Sequence, residues 1–226
     1  MQVDHLVLAA RTLADGVAWC EAALGITPGP GGEHTFMGTH NRLFSIASAA
    51  FPRAYFEIIA INPHAPKPGR ARWFDLDDTA LQQAVAHGPA LIHWVARCDN
   101  PNASVAAIRA AGIDRGELLQ AERQTPNGLL GWQITVRSDG QRLFGGALPT
   151  LIEWADRHPA DTMPPSGVAL TQLAVHGLPA VLKALLPHEV QAPAGPGAAP
   201  LTAMLSTARG PVVLHSLETR IDHVQP

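Results

Sequence analysis

Charge is scarce in this chain. Asp, Glu, Lys and Arg make up 15 % of the 226 residues, the formal net charge is −3, and like charges nowhere form a block. That excludes the electrostatic footprint by which proteins grip nucleic acid or anionic lipid, and it leaves a small molecule as the expected partner. Cysteine is nearly absent as well. Cys20 and Cys98 are too few for a disulfide framework and lack the spacing of a metal motif, so both are expected as packed thiols. No apolar run approaches membrane-spanning length, and the opening residues MQVDHLVLAA show no basic stretch, long apolar segment and cleavage site of a leader; a cytoplasmic location is expected. What is abundant is apolar residues, 46 % of the chain, enough to bury a full core as one large domain or two fused small ones.

The 20 Pro and 20 Gly are clustered, in NPHAPKPGRAR (62–72), HPADTMPPSG (158–167) and VQAPAGPGAAP (190–200). The first two read as linkers between modules and the third as a loop inside the last one. Between them one order of elements recurs. QVDHLVLA (2–9) reads as a strand, followed by a helix capped by Thr12, with Leu13, Val17, Cys20 and Leu24 on one face, and ended by Gly25. HTFMGTHNRLFSIA and AYFEIIAI then read as strands. The second unit repeats this, with ALIHWVARC, a helix opened by Asn100 and Pro101 and closed by Gly112, then GLLGWQITVR and PTLIEWA. A third, shorter unit runs from VALTQLAVHG through LPAVLKALL to LTAMLST and GPVVLHSLE. The expected fold is α+β: paired βαβββ modules over 1–62 and 89–157 forming curved mixed sheets around a cup, with a truncated β-α-β-β module over 166–226. Each duplicated unit would expose an apolar sheet face that only its neighbour covers. Two complete units in one polypeptide favour pairing within the chain, a homodimer being the alternative.

Polar residues interrupt the apolar strands at corresponding places. His5 in VDHLVL and His93 in LIHWVA lie in first strands, and Glu57 in YFEII and Glu153 in LIEWA lie in closing strands. Strand alternation puts His93 on one face with Leu91 and Val95, with Ile92 and Trp94 on the other. Four ionisable groups on apolar sheet faces must be paired, hydrogen-bonded or bound to metal. Imidazole and carboxylate together suit a divalent ion such as Zn, Ni, Co, Mn or Fe, while a hydrogen-bonded structural role for each is the plainer alternative. For substrate contacts, GTHNRL offers His40 and Asn41 with opposite facing, Asn41 being favoured; Arg123 would supply an anion contact and Trp132 a stacking wall. His34, His64, His87 and His158 read as loop residues without a role.

The stretches DHLVLAARTLADGVAWCEAALGITPGPGGEHTFMGTHNRLFSI, YFEIIAI, LIHWVAR and LPTLIEWADRHPAD resemble the glyoxalase-like domain family of the vicinal oxygen chelate superfamily, over nearly the whole chain. The resemblance implies a cupped site of paired βαβββ modules holding a divalent metal on His5, Glu57, His93 and Glu153. It implies a lyase or isomerase acting on a small oxygenated metabolite, with the metal as Lewis acid and Glu57 or Glu153 as the catalytic proton shuttle. Two alternatives stay open: an Fe(II) extradiol-type dioxygenase using His5, His93 and Glu153, and a metal-free small-molecule-binding protein of the bleomycin-resistance type.

Overall fold

Each unit begins with a strand that feeds a capped helix. In the first, β1 (Gln2–Ala9) leads to α1 (Leu13–Ala23), where Thr12 Oγ1 accepts the Asp15 amide and Gly25, at φ 76°, takes the left-handed turn beyond the helix. Strands β2 (Glu33–His34), β3 (Thr39–Ser45) and β4 (Tyr55–Ile61) complete it. A linker and helix α2 (Thr79–His87) follow. In the second unit β5 (Ala90–Arg97) leads to α3 (Pro101–Ala110), opened by Asn100 accepting the Ala103 amide, and then to β6 (Glu117–Thr125), β7 (Gly128–Val136) and β8 (Thr150–Trp154). The C-terminal unit holds β9 (Ala169–Val175), α4 (Ala180–Lys183), β10 (Val190–Gln191), β11 (Leu201–Thr207) and β12 (Gly210–His215). This computed structural model describes residues 1–126, 128–195 and 199–217. Residues 218–226 of the expected third module and 196–198 of its loop lie outside the described residues.

The first two units share one eight-stranded sheet, ordered β2-β3-β4-β1-β5-β8-β7-β6. Their first strands, β1 and β5, meet antiparallel at its centre, and each pairs in parallel with the closing strand of its own unit. The sheet curls until its ends approach. Gly32, just before β2, lies so close to Arg123 of β6, at the opposite edge, that a Cβ added there would stand 1.6 Å from Arg123 Nη1. The last unit forms its own sheet, ordered β10-β9-β11-β12. Its apolar face joins a large core with α1, α3 and the convex face of the main sheet, through Leu170, Leu173, Leu201 and Leu205 packed with Leu6, Phe56, Ile58 and Trp94. Among the described residues no helix is long and apolar enough to cross a membrane.

On the concave side a second core fills half of the cup, and the linker builds it. Trp73, Phe74 and Leu76, with Leu81 and Val85 of α2, pack on Val7, Ile59, Ile92 and Val95. Helix α2 was not anticipated from the sequence, although Asp78, which accepts the Leu81 amide, followed by apolar residues at 81 and 85 is its signature. The linker backbone is held in an unfavourable shape, Phe74 and Asp75 standing at φ 61° and 59°. Arg142 pins it: Nε donates to Asp75 Oδ2 (2.8 Å) and Nη1 to the Ile92 carbonyl (2.9 Å).

Two irregularities in the β1–β5 pairing matter for the site, between Val3 and His5 and between Val7 and Leu8. A bulge re-aims side chains that strict alternation would send to opposite faces. The first leaves Asp4 unpaired in the ladder and turns it toward His5. The second leaves Ile92 unpaired, so Ile92 joins the concave core and Leu91 the convex one, the reverse of the facing expected from alternation.

Candidate functional site

The open half of the cup lies over β1, β3 and β4. In the parallel pair β1–β4, His5 stands beside Tyr55 and Val7 beside Glu57. His5 stacks on Tyr55 at 4.5 Å between ring centroids, and its Nε2 lies 3.6 Å from Glu57 Oε2. Glu57 Oε1 accepts a 2.6 Å hydrogen bond from Asn41 Nδ2, while Asn41 Oδ1 accepts the Gly32 amide at 2.7 Å. The Asn41 amide is therefore fixed in orientation, with its donor end on the carboxylate. Beneath it, His34 Nδ1 bonds Thr39 Oγ1 at 3.1 Å. Burial first, then the charges of Arg123, His5 and His40, push the His34 pKa down to about 3, so this ring is neutral.

Behind His5 sits Asp4, fully buried and surrounded by ring nitrogens. Its Oδ1 faces His5 Nδ1 at 2.7 Å, and its Oδ2 faces His158 Nε2 at 2.9 Å and Trp154 Nε1 at 3.0 Å. Burial raises the Asp4 carboxyl, but hydrogen bonds from His158 and His5 and the charges of those rings outweigh it and hold its pKa well below the ordinary 3.8. An ionised carboxylate only accepts, so His5 Nδ1 carries a proton, and in the neutral form of the ring Nε2 is the bare nitrogen that faces the cup. His158 Nδ1 accepts the Ala160 amide at 3.1 Å, which favours the opposite tautomer, with Nε2–H toward Asp4 Oδ2; the Arg97 guanidinium, its Nη1 3.2 Å from that Nε2 and 3.9 Å from Asp4 Oδ2, adds its charge beside the carboxylate. The result is a pair of cup-facing atoms, His5 Nε2 and Glu57 Oε2, each side chain held from behind.

The walls around this pair are aromatic, from Trp73, Phe74, Trp132 and Trp154, with Arg123 the one guanidinium at the cavity. The cavity is about 30 Å³, room for roughly two or three waters. Its polar floor faces apolar walls, the usual build of a small-molecule site.

Of the four residues expected to meet, the structure brings two together. His93 lies beneath the linker, 5.1 Å from the Phe74 ring, with both nitrogens engaged. Its Nδ1 faces the Gly146 carbonyl at 3.2 Å, and its Nε2 accepts the Thr150 amide at 3.2 Å and lies 3.0 Å from Thr150 Oγ1. Burial and the charges of Arg115 and Arg142 keep its pKa well below 6.5. Glu153 faces away from the cup, because β8 presents Ile152 and Trp154 to the concave side; Glu153 bonds Gln133 Nε2 at 3.2 Å and lines a groove with Arg53, Arg97 and Arg157. Register explains the mismatch. Glu57 pairs with the residue two beyond His5, and the residue two beyond His93, Val95, pairs with Thr150. Thr150, not Glu153, is the counterpart of Glu57.

Among the described residues no three His, Cys, Asp or Glu side chains are gathered so as to hold a metal ion. With one His93 nitrogen donating and the other accepting, and Glu153 on the far face, the expected set does not fit a divalent ion. His93 is read as structural. His93→Ala should destabilise the fold by about 2–4 kcal/mol, through loss of its ring packing and of the Thr150 amide's partner. Urea unfolding checks this; a variant as stable as the parent would mean that the ring's packing and its bond to the Thr150 amide contribute nothing.

Of the expected substrate contacts, Arg123 and Trp132 line the cavity and Asn41 holds Glu57, whereas His40, half-exposed beside Ala60 and Glu33, is not part of it. Asp4, His34, Tyr55, Trp73, Trp154 and His158 belong to the site although no role was assigned to them from the sequence. The sequence matches the glyoxalase-like domain family over residues 3–186. No curated protein matches it. Among solved structures, a hypothetical protein from Staphylococcus aureus is similar at 16 % identity and TM-score 0.53, over 77 % of this chain and 69 % of that one. A Streptomyces coelicolor methylmalonyl-CoA epimerase variant in complex with 2-nitronate-propionyl-CoA matches at 18 % and 0.42, over 69 % and 98 %. The Mycobacterium tuberculosis methylmalonyl-CoA epimerase matches at 13 % and 0.37, over 68 % and 86 %. At such identities the likeness concerns the fold.

Proposed function

The chain belongs to the glyoxalase-like domain family of the vicinal oxygen chelate superfamily, and from that premise we propose that the cup is the active site of an isomerase that moves a proton at a carbon acid of a small oxygenated metabolite. The observation that supports this most is the His5–Glu57 pair. Two lone pairs 3.6 Å apart, one on a ring whose tautomer Asp4 sets and one on a carboxylate oriented by Asn41, form a base that can take a proton and return it. Glu57 Oε2 or His5 Nε2 removes the proton from a carbon next to a carbonyl or carboxyl group. The electron pair moves onto that oxygen as an enolate, with Arg123 the cation at hand; return of the proton to the same carbon gives exchange with solvent, and where the substrate carries a hydroxyl beside its carbonyl, delivery to the neighbouring carbon of the enediolate breaks one C–H bond, forms the next and completes the isomerisation. A lyase would share the first step. The aromatic walls keep bulk water from the enolate.

The reading is tested by NMR, following deuterium uptake from D2O at the carbon beside the carbonyl or carboxyl group of small 2-oxo acids, 2-substituted acids and ketones. At least one class should exchange faster than in buffer, and His5→Gln should slow it by about 10²-fold. Exchange that is equally fast in His5→Gln would remove the pair from the chemistry.

A further inference from the structure

Two buried donors at the cavity have no hydrogen-bond partner among the described residues, Arg123 Nη1 and Trp73 Nε1. They come from separate elements, the edge strand β6 and the linker, yet line the same cavity as His5 and Glu57. Burying an unpaired donor is unfavourable, and a charged one more so, which makes two at one cavity a sign of an absent acceptor. Arg70 and Arg72 also have an unpartnered Nε, but their guanidinium groups are otherwise bonded, to the Arg137 carbonyl and to Asp77.

We infer that Arg123 and Trp73 form a subsite for a carboxylate group of the substrate, which rests on the reading of the cup as a proton-transfer site and names its substrate class. A guanidinium N–H and an indole N–H offer two donors, and a carboxylate has two oxygens and one charge to satisfy both. A neutral amide would leave the guanidinium uncompensated. A phosphate would bring further oxygens and charge that these two donors do not satisfy, in a cup already holding Glu57 with Asp4 behind it.

Two features show that the donors are held in place. Arg123 lies against the bare Cα of Gly32, where a side chain would collide with Nη1, and Gly32 is itself tied to Asn41. Trp73 precedes the two residues with left-handed backbone, Phe74 and Asp75, which Arg142 pins. Such strain persists where the surroundings over-determine it, commonly at ligand clamps.

Calorimetric titration with pyruvate and acetate, against acetamide and inorganic phosphate, tests the subsite. The two carboxylates should bind about tenfold or more tighter than acetamide or phosphate, and Arg123→Gln should weaken pyruvate by about tenfold or more. Trp73→Phe, which keeps the ring and removes the donor, should weaken it roughly three- to tenfold, and Gly32→Ala, which displaces the guanidinium without touching the ligand, should do likewise. Arg123→Lys should recover part of the affinity. Urea unfolding of each variant separates lost binding from lost folding. Pyruvate affinity unchanged in Arg123→Gln and Trp73→Phe, or pyruvate no tighter than acetamide, overturns the subsite. Glu57→Gln separates the two claims. If it retains deuterium exchange while Arg123→Gln loses pyruvate, the subsite stands and the proton-transfer reading falls; lost exchange in Glu57→Gln with undiminished pyruvate binding in Arg123→Gln is the reverse.

Discussion

Glu57→Gln is expected to lower the rate of deuterium exchange into substrate by about 10³-fold, in the middle of the range for removal of a general base. The change keeps the shape of the side chain. Gln has the volume of Glu, and its carbonyl oxygen can still accept the 2.6 Å bond from Asn41 Nδ2, so the β3–β4 pair and the Gly32 contact beyond it are preserved. What is lost is the lone pair opposite His5 Nε2, and with it the ability of the two groups to pass one proton between them. Substrate affinity should change little, since the loss is of an interaction made in the transition state, so kcat falls and KM does not rise in proportion. Single-turnover exchange by NMR, with urea unfolding as the control for folding, checks it. A variant within about tenfold of the parent would leave Glu57 as a structural acceptor for Asn41 and nothing more.

The two-unit α+β architecture was legible because strand and helix signals recur in the same order, and His5 and Glu57 were legible because each interrupts an apolar strand. The second half of the site was not, for a reason that lies in register. The repeated Leu-Ile-x-Trp frame around His93 and Glu153 suggests that the two are counterparts, but in space the neighbours of that frame differ by three residues, and Thr150 takes the place of the carboxylate. Asp4 was hidden by a rule that usually serves well: alternation sends neighbours to opposite faces, and a bulge between Val3 and His5 cancels it locally. In sequence His34 and His158 read as loop residues, yet the first lies in the short strand β2, and the second opens a 3₁₀ turn that directs its Nε2 at Asp4.

The linker shows why local pattern could not divide labour between the halves. Its Pro- and Gly-rich start reads as a spacer, but the following Trp73 and Phe74 are apolar groups that find a surface only once the sheet has curled. By covering His93 they turn the second half of the cup into core, which leaves His5 and Glu57 as the ionisable pair at the cavity floor. The duplicated sheet thus serves two ends: one half lines the cavity with His5 and Glu57, and the other anchors the strap that walls it.

Asp4→Asn is expected to have the largest effect on stability, about 3–5 kcal/mol, the range seen when one partner of a buried charge network is removed. Three ring N–H groups converge on this carboxylate, from His5, His158 and Trp154. An amide offers one accepting oxygen and a donor that would face N–H, so at least one ring must turn or lose its partner. If His5 turns, Nε2 gains the proton and the cup loses its bare base; exchange should therefore fall along with stability. The pH dependence identifies the cause. The folded pKa of Asp4 lies below its ordinary 3.8, so its contribution is complete above that value and is lost as the pH falls from 3.8 toward the folded value. His34 and His93 act earlier. Both have folded pKa values below 6.5, so the stability they confer is complete above 6.5 and declines as acid protonates them in the unfolded chain, for His34 down to about pH 3. Urea midpoints measured against pH should consequently fall in two stages. In Asp4→Asn the first stage should be retained, and the second should be shallower by up to about 1.4 kcal/mol per pH unit, one proton's worth. An acid limb identical in parent and variant would mean that the charge of Asp4 does not hold the three rings, and the tautomer assigned to His5 would lose its basis.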